Sequence, residues 1–155
     1  MLILLGSASA QSAHSSVQEE EKLPAGICAT ALHWVDMKPP MDAGAKMAVV
    51  EGDPKGSGHF TIRVWFPPYY KIPPHIHPVD ERTTVLSGEV NVGYGDTMDT
   101  TRAKKYAAGC FYFNPAGMHH YVFTTGAETV IQVSTNGPWG LHILEPGELE
   151  KQEKK

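Results

Sequence analysis

Turn residues cut this chain into short pieces, and that constrains its fold more than any other feature. From Lys46 onward the apolar segments KMAVVE (46–51), HFTIRVWF (59–66), 82–87, 89–94, CFYFN (110–114), HYVFT (120–124), TVIQVS (129–134) and LHIL (141–144) follow one another. They are parted by GDPKGSG, Pro67-Pro68, Gly88, NPAG, TGAE and NGPWG. Runs this short, closed by glycine, proline or asparagine, suit strands and turns, and no segment carries a long amphipathic helical pattern. In HFTIRVWF the side chains alternate: Phe60, Ile62, Val64 and Phe66 share one face, and His59, Thr61, Arg63 and Trp65 the other. The first set is the expected core face, and the second is expected outside. The expectation is an all-β sandwich or barrel, with GDTMDTTRAKK (95–105) as a polar loop.

The chain has 155 residues, enough for one domain with a real core. A net charge of -4 gives no sign of a nucleic-acid or membrane-surface partner. At the start, Leu2 to Leu5 form an apolar run, and Ala8-Ser9-Ala10 has the small-x-small pattern of a signal-peptidase site. Residues 1–10 are therefore expected to be a signal-peptide remnant, and the mature protein periplasmic or secreted. Residues 11–22 are polar and acidic and expected to be flexible. The domain is expected over 23–145, with a charged tail over 146–155. Cys28 and Cys110 read as two buried thiols; they are not spaced as a metal pair.

The chemistry concentrates in two segments. In PPHIHPVDERTTVLSG (73–88), His75 and His77 stand two residues apart, so in an extended backbone both project to one side. Glu81 keeps the same odd parity and joins them if the chain stays extended. Prolines 73, 74 and 78 stiffen the approach and remove backbone donors. One strand cannot enclose an ion, so a further ligand must come from elsewhere. GCFYFNPAGMHH (109–120) offers His119 and His120 after a Pro-x-Gly turn. Those two point to opposite faces, so at most one of them is a ligand. Three imidazoles and a carboxylate suit a divalent transition ion: Fe, Mn, Ni, Cu, Co or Zn.

The two segments resemble the motifs of the cupin superfamily. The first motif, G-x5-H-x-H-x3,4-E-x6-G, is matched at His75, His77, Glu81 and Gly88, with Tyr69 at the opening glycine position. The second, G-x5-P-x-G-x2-H-x3-N, is matched at Gly109, Pro115, Gly117 and His120, with Thr124 at the asparagine position. The resemblance is closest to small, often exported bacterial cupins. It implies a jelly-roll barrel, selects His120 over His119 as the fourth ligand, and implies homodimers. It also suggests that Glu81 serves as a catalytic base when it leaves the metal.

The remaining conspicuous residues are read more plainly. His142 is expected at an edge or surface, Gln132 facing solvent, and Trp139 packing beside a turn. Among Tyr106, Tyr112, Tyr121, Phe111, Phe113 and Phe123, sequence leaves open which line a pocket. GxSxG, P-loop and GxGxxG segments are absent, which disfavours a hydrolase elbow, an NTPase or a Rossmann site. Two functional readings stay open. One is a metal-dependent enzyme, a dioxygenase, isomerase or lyase, acting on a small oxygen-rich substrate. The other is a non-catalytic protein that binds or senses a metal and a small molecule.

Overall fold

The structure, a computed structural model, describes residues 26–41 and 44–144. The expected signal remnant, the acidic segment and the charged tail lie outside the described residues. A short 3-10 helix (Ala29–Ala31) precedes eleven strands: β1 (Val35–Asp36), β2 (Lys46–Glu51), β3 (His59–Phe66), β4 (Lys71–Ile76), β5 (Glu81–Ser87), β6 (Glu89–Tyr94), β7 (Lys104–Ala107), β8 (Phe111–Asn114), β9 (His120–Phe123), β10 (Thr129–Asn136) and β11 (His142–Ile143). They form a six-stranded sheet, β1-β2-β3-β10-β5-β8, and a five-stranded sheet, β11-β4-β9-β6-β7. Every strand pairing is antiparallel.

The fold is all-β, as the punctuation of the sequence predicts, but the two sheets are not closed into a barrel. They face one another and bury a common core. In β3 the core face is as expected, with Phe60, Ile62, Val64 and Phe66 all buried, but Thr61, expected outside, is buried too, its hydroxyl bonded to that of Ser134 at 3.0 Å. Strand β10 lies beside β3 in register, with Ile131 opposite Val64 and Val133 opposite Ile62. Val85, Val90, Val92 and Val122 close the core from the neighbouring strands. Side chains of this size each contribute about 1.5–3 kcal/mol on full burial, so the facing sheets supply most of what holds the layers together.

Two expectations require correction. The supposed loop 95–105 contains the start of β7, which pairs with β6 through Val92–Lys104 and Asn91–Lys105. Its lysines point away from the core on an edge strand, where charge is tolerated and apolar alternation is not required. The thiols of Cys28 and Cys110 are exposed and unpaired, not buried. Cys110 sits in the turn before β8, where its carbonyl and amide, bonded to Val85 and Ala107, hold the chain and its side chain is left outside.

The connection that matters most is short. Strand β4 belongs to the five-stranded sheet and β5 to the six-stranded one, so residues 77–80 carry the chain from one layer to the other. At the far end of β5 the chain returns through Gly88, whose φ is +69°. A Cβ there would come within 2.2 Å of the Glu128 carbonyl, so both the backbone angle and the lack of space require glycine.

Candidate metal centre

The histidines are delivered by two neighbouring strands. His75 in β4 lies opposite His120 in β9 in the ladder register, and their rings are 4.1 Å apart between centroids. His77 follows β4 on the same inward face; its ring lies 5.1 Å from that of His75 and 5.3 Å from that of His120. One ligand atom from each of the three lies within 4.8 Å of the others. Glu81 opens β5 on the opposite sheet and reaches across, its oxygens 3.9 Å from His77 Nε2 and 3.4 Å from His120 Nε2. All four residues singled out in the sequence are therefore brought together, and all four are buried. His119 is not among them: it points outward and pairs with Asp96. Glu81 joins the cluster because the chain changes sheets after His77, not because of parity along one extended strand.

Each imidazole is fixed by a backbone carbonyl. Nδ1 of His75 donates to Pro73 O (2.7 Å), Nδ1 of His77 to Gly140 O (2.6 Å), and Nδ1 of His120 to Met118 O (2.8 Å). A carbonyl can only accept, so in the neutral ring the proton is on Nδ1 and the lone pair on Nε2. Three rings thus carry their bare nitrogens inside one small volume. His120 Nε2 is buried without a hydrogen-bond partner. Its lone pair faces a Glu81 oxygen 3.4 Å away, so two acceptors confront one another where a cation would satisfy both.

The electrostatics keep these groups in the forms a metal requires. Burial, then the neighbouring His120 and His77, hold His75 down to about 3; burial also lowers His77. Both rings are therefore neutral near pH 7. Burial pushes the Glu81 carboxyl up, but a proton shared with the His120 ring, the charge of His77 and the hydrogen bond from Asn114 outweigh it and hold the group at about 2. A cation in the place of that proton would meet three ring nitrogens and one ionised oxygen, a donor set that fits a divalent transition ion.

Sequence reasoning missed the residues that support Glu81. Asn114, opposite Glu81 in the β5–β8 register, donates from Nδ2 to Glu81 Oε2 at 2.6 Å. Tyr94 in turn donates its hydroxyl to Asn114 Oδ1 at 3.0 Å. The available signal was Asn114 itself, a polar residue ending the apolar run CFYFN on the same face as Tyr112. Trp139 is more than a packing anchor: its indole stacks on His77 at 4.2 Å and lines the cavity beside the cluster. That cavity measures about 50 Å3 and is bounded by His75, His77, Glu81 and Tyr112 together with apolar side chains from both sheets. Arg63 and Gln132 face outward and bond to each other at 3.1 Å, so Gln132 orients no ligand histidine. His142 is exposed on edge strand β11, as expected.

Residues 27–139 match the family model described as "Domain of unknown function (DUF4437)". The chain belongs to the DUF4437 family. Among solved structures, this chain is similar to the polyketide cyclase RemF from Streptomyces resistomycificus, with a TM-score of 0.64 at 18% identity over 84% of this chain and 94% of that one. It is also similar to KdgF from Halomonas sp., with a TM-score of 0.57 at 16% identity over 72% and 92% of the two chains. At those identities the likeness is one of fold. Germin-like protein 9-3 of Oryza sativa subsp. japonica is 33% identical over 73 residues, 46% of this chain and 34% of that protein. The chain thus spans about a third of the length of that curated relative.

Proposed function

We propose that His75, His77, Glu81 and His120 bind one divalent transition metal, and that this cupin is a metal-dependent enzyme acting on a small molecule held in the adjoining cavity. The observation that carries the reading is the convergence of three rings, each fixed at Nδ1 by its own backbone carbonyl, beside one buried carboxylate. A metal bound there would supply Lewis acidity to a coordinated oxygen. The chain's own groups do the rest. Pro73, Gly140 and Met118 hold the rings by their carbonyls, as outer partners of ligand histidines do. Asn114 fixes Glu81 Oε2 and keeps the carboxylate ionised. Trp139, stacked on His77, shields that ring from water.

Glu81 is proposed first as a ligand. A carboxyl held near 2 is a weak proton acceptor, so it serves as a base only after it parts from His120 and Asn114, whose contacts keep it low. The test begins with elemental analysis of the purified protein, where one equivalent of a transition metal is expected. Turnover of a panel of small carbonyl and hydroxyl compounds, under air and under nitrogen, then separates oxygen-dependent from oxygen-independent chemistry. Metal-loaded protein that retains ligand tightly but turns over nothing in the panel would instead favour a binding or sensing role.

A further inference from the structure

The cavity wall restricts what the centre can accept. Among the described residues that line it there is no lysine and no arginine. Beyond the cluster the wall is mostly hydrocarbon and thioether, with Met41, Phe66, Ile72, Val133 and Leu141 among its members. Trp139 and Tyr112 are the two lining residues outside the cluster that carry a polar group, and Tyr112, on β8, has its hydroxyl buried. The residue lines the cavity and its ring is buried at 4% exposure; its buried hydroxyl completes no hydrogen bond of good geometry and has the Thr83 hydroxyl as its near neighbour. Thr83, opposite it in the register, also has a buried hydroxyl that completes no hydrogen bond of good geometry. A buried hydroxyl left unpaired costs free energy, and a ligand oxygen beside it would recover that cost. Burial pushes the Tyr112 hydroxyl well above its ordinary 10, so it keeps its proton and donates.

We propose that this cavity takes a small, mostly apolar molecule with a single carbonyl or hydroxyl oxygen, which Tyr112 positions by donating a hydrogen bond, and that it rejects dicarboxylates. The inference rests on the metal-centre reading. A divalent ion with Glu81 leaves one net positive charge, which balances one negative charge at most. The second carboxylate of a dianion would be buried against hydrocarbon without a counter-charge. The small volume sets a further limit: a ligand of more than a few non-hydrogen atoms enters only if Met37 and Met41, on the wall, swing aside.

The experiment uses the full chain loaded with Co2+, whose visible absorption reports on its ligands. Cobalt content is measured first, and 2-pentanone and oxalate, similar in size, are then titrated into wild type and Tyr112→Phe. The wild type is expected to give a saturable spectral change with 2-pentanone, and a response to oxalate at least about tenfold weaker. Tyr112→Phe is expected to weaken 2-pentanone about tenfold, the worth of one hydrogen bond. Its cobalt content should be unchanged and its melting temperature equal to or above wild type, because the variant removes a buried hydroxyl that completes no hydrogen bond of good geometry. Tighter binding of oxalate, or equal 2-pentanone binding by the variant, would overturn the proposal. So would a lower melting temperature in the variant, which would mark the hydroxyl as structural. Wild type that retains no cobalt would sink the metal-centre reading as well, whereas full cobalt with no preference for the ketone would sink this inference alone.

Discussion

His119 and His120 are adjacent in the chain and opposite in circumstance. His119 faces outward, partly exposed, and its Nδ1 meets the Asp96 carboxylate, so the ring is satisfied by a side-chain partner from the β6–β7 connection. His120 faces inward at 1% exposure; its Nδ1 donates to a backbone carbonyl and its Nε2 has no partner. The outer histidine is paired and complete. The inner one is oriented and incomplete, and the other two rings of the cluster are oriented by backbone carbonyls in the same way. What marks a site is therefore not the presence of histidine but a fixed tautomer with an unmet lone pair.

The sharpest way to break that comparison is to remove each ring in turn. His120→Ala or His77→Ala should reduce metal affinity by well over the roughly 10–100-fold typical for loss of an outer partner, whereas His119→Ala should leave metal content unchanged. Elemental analysis after dialysis decides, and equal loss from all three would mean the inner and outer rings are not different in kind. Asn114→Leu is the next largest effect. It keeps the size of the side chain but removes the Nδ2 donor 2.6 Å from Glu81 Oε2, and should cost about 10–100-fold in affinity, read by chelator competition.

Acid should sharpen the same contrast in chelator-treated protein. His75 titrates near 3 when folded against an ordinary 6.5, and Glu81 near 2 against 4.5. Between those limits the unfolded chain binds protons that the folded chain refuses, so stability is full above about 6.5 and falls as pH drops toward 2. The melting temperature of the metal-free protein is expected to decline steadily from pH 7 to pH 4, and His75→Leu should flatten the upper part of that decline. A melting temperature constant over that range would contradict the neutral, buried state assigned to His75.

Much of this was legible in the residues. Strand boundaries followed from glycine and proline, and the β3 core face from strict alternation, because a period of two is a local property of the chain. His75 and His77 were legible through their spacing, whereas Glu81 was reached by a parity that the change of sheet does not follow, and His120 was chosen over His119 only through the motif resemblance. The cluster's outer partners were not: Asn114 meets Glu81 only because β8 lies beside β5, and Gly140 meets His77 through a turn more than sixty residues away. Nor was the open character of the sandwich, since closure depends on ladder bonds between distant strands. Strand β7 was hidden because an exposed edge strand carries no apolar period to read.

Tyr69 tests the smallest of these differences. It stands where the cupin motif has glycine, and its φ is +58°, in the left-handed region that glycine favours and tyrosine pays about 1 kcal/mol or more to enter. Gly88, the glycine that closes the same motif, holds the same backbone region at +69°. The motif thus specifies a backbone angle at both positions, and the chain keeps the angle at 69 even where it has lost the residue. The Tyr69 amide explains how: it donates to the Thr125 carbonyl at 2.7 Å, which anchors the turn whatever the side chain. The tyrosine ring is largely exposed, so its removal forfeits little burial. Tyr69→Gly relieves the strain but adds freedom to the unfolded chain, worth about 0.5–1 kcal/mol in the opposite sense. A net gain of at most about 1 kcal/mol is expected by denaturant titration, with metal affinity unchanged. A loss of more than that would show that the ring itself, beside Gly126, holds the turn into β4 and so helps to place His75 and His77.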